Sequence, residues 1–182
     1  MENAAIRIGD DMELQQPHIE IVNGTQVIKD STTTLHNEII NMLSFSINSY
    51  IINNHMKCKL FTDTVKLYCN ELADLSKGNY FLPDFMVICN YKDEDIRDDG
   101  VHTTPQFVCE VTSPSTILND YNIKKDIYQK IGVDEYWIIE PQTKTVHVYL
   151  KTKDYKEIVY SLLKPVTISL HGLEIDISSI WQ

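Results

Sequence analysis

Two apolar runs, Phe107-Val108-Cys109-Glu110-Val111 and Tyr136-Trp137-Ile138-Ile139, stand on either side of a turn and a helical stretch. Short apolar runs joined in this way read as strand, crossover helix and parallel strand. That pattern calls for an α/β fold. Glu110 is the anomaly within it. A carboxylate inside a buried strand is costly unless it is paired or holds a metal ion. The rest of the chain is therefore read by asking what Glu110 faces.

A second acid stands in the same kind of setting. Asp84 interrupts the run from Tyr80 to Cys89, directly after Pro83. Proline removes a ladder donor, so the strand is expected to be irregular or at an edge there. Two such acids suit one hard divalent cation. Mg²⁺ or Mn²⁺ prefers oxygen ligands and keeps several waters, so two carboxylates and a backbone carbonyl suffice. Asp84, Glu110 and the Val111 carbonyl are that candidate set. The alternative is that each acid ends a strand and faces solvent or a basic partner.

The flanking segments are read from local chemistry. His18-Ile19-Glu20-Ile21-Val22 and Thr25-Gln26-Val27-Ile28 form a hairpin across Asn23-Gly24, with no chemistry assigned to it. Ser31-Thr32-Thr33-Thr34 offers helix caps. Behind it His36, Ile40, Leu43, Ile47 and Ile51 recur at helical spacing, predicting an amphipathic helix of about four turns. His36 lies on its apolar stripe, as a packed histidine or an auxiliary site group, while Glu38 is read as a first-turn carboxylate. Cys58–Phe61, Thr64–Cys69, Thr145–Leu150 and Tyr155–Tyr160 alternate like strands, the last two forming a meander after the crossover. The acidic loop from Tyr91 to Pro105 fails as a calcium loop, because Arg97 takes the third ligand position and Gln106 the twelfth, where a bidentate Glu is needed. On the crossover helix Asp120, Lys124 and Tyr128 recur every fourth residue and share a face. Lys125 falls on a neighbouring side, read as solvent.

Length and charge bound the function classes. The 182 residues suit an N-terminal arm, 1–16, and a single domain, 17–182. No apolar run spans a bilayer, and Met1 to Ile6 has no signal-peptide character, so a cytoplasmic protein is expected. The net charge of −10 argues against a general nucleic-acid coat protein. The excess acidity lies before residue 121, which leaves the later lysines as a candidate DNA-facing set. Cys58, Cys69, Cys89 and Cys109 include no C-x-x-C pair, so a zinc site is disfavoured and reduced, mostly buried thiols are expected.

Pro83-Asp84, Glu110-Val111-Thr112-Ser113-Pro114-Ser115-Thr116, Asp120, Lys124, Tyr128, Gly132-Val133 and Glu135-Tyr136-Trp137 together resemble the Uma-type family of putative restriction endonucleases, within the PD-(D/E)XK nuclease superfamily. The similarity extends back to the hairpin and to His36. It implies a restriction-endonuclease-like core, a mixed central sheet flanked by helices, with Asp84 and Glu110 as metal-binding acids. The superfamily's usual lysine position, two residues after the acid, holds Thr112. The resemblance places the lysine on the next helix instead, at Lys124. It implies Mg²⁺-dependent hydrolysis of DNA, with His36, Asp120 and Tyr128 as auxiliary residues. Two-fold duplex symmetry adds a homodimer to the expectation. A non-catalytic nucleic-acid-binding relative and a structural protein of the same fold are the alternatives.

Overall fold

The computed structural model describes residues 18–29, 33–69, 72–73, 78–161, 163–167 and 172–176. The expected arm, Ser31-Thr32 and the end of the tail lie outside these residues. Strands β1 (Ile19–Val22) and β2 (Thr25–Ile28) form the expected hairpin. Asn23 and Gly24 both turn with positive φ, 51° and 79°, as a tight hairpin turn requires. Helix α1 (Thr34–Asn53) runs longer than the spacing predicts. The Thr33 hydroxyl caps it, accepting from the His36 amide at 3.1 Å. Glu38 therefore stands in the second turn and is exposed.

The chain continues through β3 (Cys58–Thr62), β4 (Leu67–Tyr68), β5 (Tyr80–Phe81), β6 (Phe85–Cys89), β7 (Ile96–Arg97), β8 (Gly100–Val101) and β9 (Phe107–Val111). A π-helical turn, Asn119–Lys124, leads into α2 (Lys125–Ile131), which ends on Gly132 in the left-handed conformation. After it come β10 (Glu135–Glu140), β11 (Thr145–Leu150), β12 (Glu157–Ser161), β13 (Val166–Thr167) and β14 (Glu174–Ile175).

The larger sheet runs β12-β11-β10-β9-β6-β3. Only β9 and β10 are parallel neighbours, as the crossover predicts; its other pairs are antiparallel. The second sheet runs β2-β1-β5-β4-β8-β7. The run from Tyr80 to Cys89 is thus divided between two sheets. The break falls at Leu82-Pro83-Asp84, where proline cannot extend a ladder.

Strand β9 is buried along its whole length, and alternate residues serve opposite layers. Phe107, Cys109 and Val111, with Trp137 and Ile139, pack beneath Ile39, Leu43 and Ile47 of α1. Val108, Tyr136 and Ile138 pack on the other face with Ile127, Tyr128 and Ile131 of α2, and with Leu67, Phe81 and Val101 of the second sheet. Tyr136 and Trp137 are core residues.

Three expectations are corrected here. The strand expected from Thr64 forms only at Leu67–Tyr68, because Val65 turns back onto Thr62. Cys58 and Cys89 are cross-strand partners in β3 and β6 and form a disulfide, so only Cys69 and Cys109 are free, buried thiols. Lys125 does not project freely into solvent: it is half-buried, with Nζ 5.0 Å from the centre of the Tyr149 ring.

Candidate active site

The pairing of β6 with β9 sets the two acids side by side. Phe85 faces Cys109, so one further step along the same register sets Asp84 opposite Glu110. Directly opposed residues of an antiparallel pair share a face of the sheet. Asp84 and Glu110 accordingly line one cavity of about 340 Å³, together with His36, Val111 and Lys124. Asp84 is 1% exposed, Glu110 2% and Lys124 2%, so each charge must be answered from within the protein.

Asp84 uses both oxygens. Oδ1 accepts from Lys29 Nζ at 2.6 Å. Oδ2 accepts from the Val111 amide at 2.6 Å and lies 3.1 Å from His36 Nε2. Burial pushes the carboxyl up, but the Lys29 ammonium and the His36 bond outweigh it and hold Asp84 well below the usual carboxylate range. An ionised Asp84 requires Nε2 of His36 to donate.

Glu110 sits differently. Lys124 Nζ and Tyr128 Oη both donate to its Oε1, each at 3.0 Å, and Oε2 takes neither bond. Burial raises Glu110 to about 8, against the pull of Lys124 and with the help of the neighbouring Asp84 and Asp120 charges.

Lys124 is gripped by three carboxylates: Glu110 at 3.0 Å, Glu20 at 3.1 Å and Asp120 at 3.3 Å. Burial disfavours its charge, yet these acids raise its pKa well above the usual lysine value. It stays an ammonium and cannot serve as a general base. Asp120 Oδ1 is buried without a hydrogen-bond partner, because the Lys124 approach lacks hydrogen-bonding alignment. The π-helical turn carries both residues; such turns insert locally into helices and recur at functional sites.

The hairpin supplies two members of this cluster, which corrects the expectation that it carries no chemistry. Glu20 accepts the Leu82 amide at 2.9 Å as well as contacting Lys124. Lys29 also donates to the Leu82 carbonyl at 2.8 Å. Glu20 shares its strand face with buried Val22. An acid in phase with an apolar position is the one signal that could have marked it. Lys29 follows β2 with no comparable signal.

Four buried carboxylates, Glu20, Asp84, Glu110 and Asp120, thus meet two buried ammonium groups, Lys29 and Lys124. With all four ionised, two negative charges are left over; burial first, and the neighbouring acids after it, raise the pKa of Glu110 and Asp120. A divalent cation would cancel that excess, and carboxylate oxygens are the donors a hard cation prefers. Among the described residues no group of three or more His, Cys, Asp or Glu side chains is placed to hold a metal ion. A cation here would use two carboxylates and complete its shell with backbone oxygen and water, as Mg²⁺ or Mn²⁺ does.

A mixed sheet with two acids on adjacent strands, and a lysine reaching one of them from the crossover helix, defines a nuclease-like α/β protein. The chain belongs to the Uma2 family, described as "Putative restriction endonuclease", whose model matches residues 9–178. The same fold occurs in a crystal structure from Anabaena variabilis ATCC 29413 described as a "putative nuclease". The two are 17% identical and superpose with a TM-score of 0.72 over 90% of this chain and 89% of that one. No curated protein matches the chain.

Proposed function

We propose that the protein is a Mg²⁺-dependent endonuclease that hydrolyses DNA phosphodiesters. The observation that carries this reading is the single cavity in which Asp84 and Glu110 stand side by side with Lys124 on Glu110. Asp84, Glu110 Oε2 and the Val111 carbonyl are the groups that would hold the metal ion. When bound, that ion supplies Lewis-acid polarisation of the phosphodiester and a water of lowered pKa. The Lys124 ammonium provides a fixed positive charge beside the reacting phosphate, where charge builds in the transition state. Tyr128 holds Glu110, Asp120 holds Lys124, and His36 orients Asp84. A homodimer, cutting both strands of a duplex, completes the proposal.

The test is cleavage of supercoiled and linear DNA by purified protein with Mg²⁺ or Mn²⁺, beside Asp84→Asn, Glu110→Gln and Lys124→Met. Turnover is expected for wild type alone. Lys124→Met leaves three acids without their shared cation and should cost about 3–5 kcal/mol of stability, so its fold is checked by circular dichroism at the assay temperature. Equal cleavage by wild type and Glu110→Gln would overturn the assignment. Metal binding and DNA binding without turnover would identify a non-catalytic relative.

A further inference from the structure

Lys29 has no assigned part in the site, yet its ammonium rests on a carboxylate oxygen that the proposed metal ion needs. Nζ is 2.6 Å from Asp84 Oδ1, and the side chain is 8% exposed. The other oxygen of Asp84 is already committed to the Val111 amide and His36. The ammonium therefore stands on the oxygen of Asp84 that His36 and the Val111 amide leave to it.

The backbone at Lys29 is pinned, since its amide closes the hairpin on the His18 carbonyl at 2.8 Å. Beyond that anchor the side chain is a flexible four-carbon stem whose ammonium is held by Asp84 and by the Leu82 carbonyl, the latter at 2.8 Å. It also borders two cavities. One is the cavity of Asp84 and Glu110; the other is a smaller cavity of about 30 Å³ lined by Glu20, Asn119 and Asp120. Lys124 also lines the second cavity, and the acceptor there is incompletely satisfied: Asp120 is 1% exposed, and its Oδ1 has the Lys124 ammonium at 3.3 Å but no aligned hydrogen bond. A buried carboxylate oxygen without an aligned donor is costly, and a second ammonium beside Lys124 would supply one.

We propose that Lys29 is a two-position cation. On Asp84 it neutralises the metal-free site; when a divalent ion takes Asp84, Lys29 crosses to the smaller cavity and pairs with Asp120 and Glu20. Metal loading is then an exchange of one cation for another on Asp84, and Lys29 sets the affinity of the site. The inference rests on the metal-dependent reading above and adds a determinant of metal affinity to it.

The test is Mn²⁺ titration by calorimetry of metal-free wild type, Lys29→Met, Lys29→Gln and Asp84→Asn, each checked by circular dichroism. Lys29→Met keeps the length of the side chain without its charge, and Lys29→Gln keeps a hydrogen-bond donor. Removing a competing cation should tighten Mn²⁺ binding about tenfold or more in both variants, and Asp84→Asn should abolish it. Wild-type binding with equal or weaker binding in the folded Lys29 variants would overturn the role of Lys29 and leave the metal site standing. Absence of binding in wild type and in both folded Lys29 variants would overturn the metal-dependent reading, and the two-position lysine with it. Mn²⁺-induced shifts in thermal midpoint give the same comparison without turnover.

Discussion

Glu110 shows how one residue carries the state of a whole cluster. Its carboxyl would ionise near 4.5 in an unfolded chain and is raised to about 8 in the folded one. Between those values the folded protein binds more protons than the unfolded protein, so stability falls as pH rises. The favourable contribution is complete below the unfolded value and is lost as pH passes the folded one. In a metal chelator, the thermal midpoint of wild type should therefore drop from about pH 5 to about pH 8 relative to Glu110→Gln, whose neutral amide stays uncharged throughout. Parallel midpoint profiles for the two proteins would mean that Glu110 ionises normally. Asp84 faces the same burial and shifts the other way, because Lys29 and His36 bond its charged form. The difference between the two acids lies in their partners.

Among the elements, β6 has the most to hold. Asp84 stands at its entry, and at its far end Cys89 is bonded to Cys58 of β3, the edge strand of the larger sheet. The bridge spans a sequence separation of 31 residues. Closing a loop of that size restricts the unfolded chain and is worth about 3–4 kcal/mol in the chain-entropy picture. Mass spectrometry after alkylation without reductant should find Cys58 and Cys89 joined. Cys69 and Cys109 should react only on unfolding, since both are 0% exposed. A reductant should then lower the thermal midpoint without opening those two thiols. Rapid labelling of all four cysteines in the native protein would show that the bridge is absent in solution.

At the scale of the molecule, the crossover from β9 to β10 places α1 and α2 on opposite faces of one sheet, and the two acids at the start of β6 and near the end of β9. Both helices meet the acids there: α1 brings His36 in its first turn, and the π-helical turn before α2 brings Asp120 and Lys124. A monomer offers one such cavity, whereas a duplex has two strands to cut. A homodimer is therefore expected, and light scattering at micromolar concentration should report twice the chain mass of 21.1 kDa. A single-chain mass under those conditions would remove the dimer from the proposal.

Much of this arrangement is legible along the chain. The strand–helix–strand pattern, the Asn23-Gly24 turn, the apolar stripe of α1 and the misplaced acids Asp84 and Glu110 are local signals. Each depends on residues a few positions apart, where periodicity and turn chemistry are decisive. The partners of those acids are a different matter. Lys29 reaches Asp84 across 55 residues and Glu20 reaches Leu82 across 62, through the pairing of β1 with β5, which depends on long-range packing. The Cys58–Cys89 bridge follows from the register of β3 on β6, which no cysteine spacing reveals. The raised pKa of Glu110 is more distant still from the sequence. It depends first on burial and then on Lys124, Asp84, Asp120 and Lys29 from separate elements, which only the tertiary structure brings within range of one another.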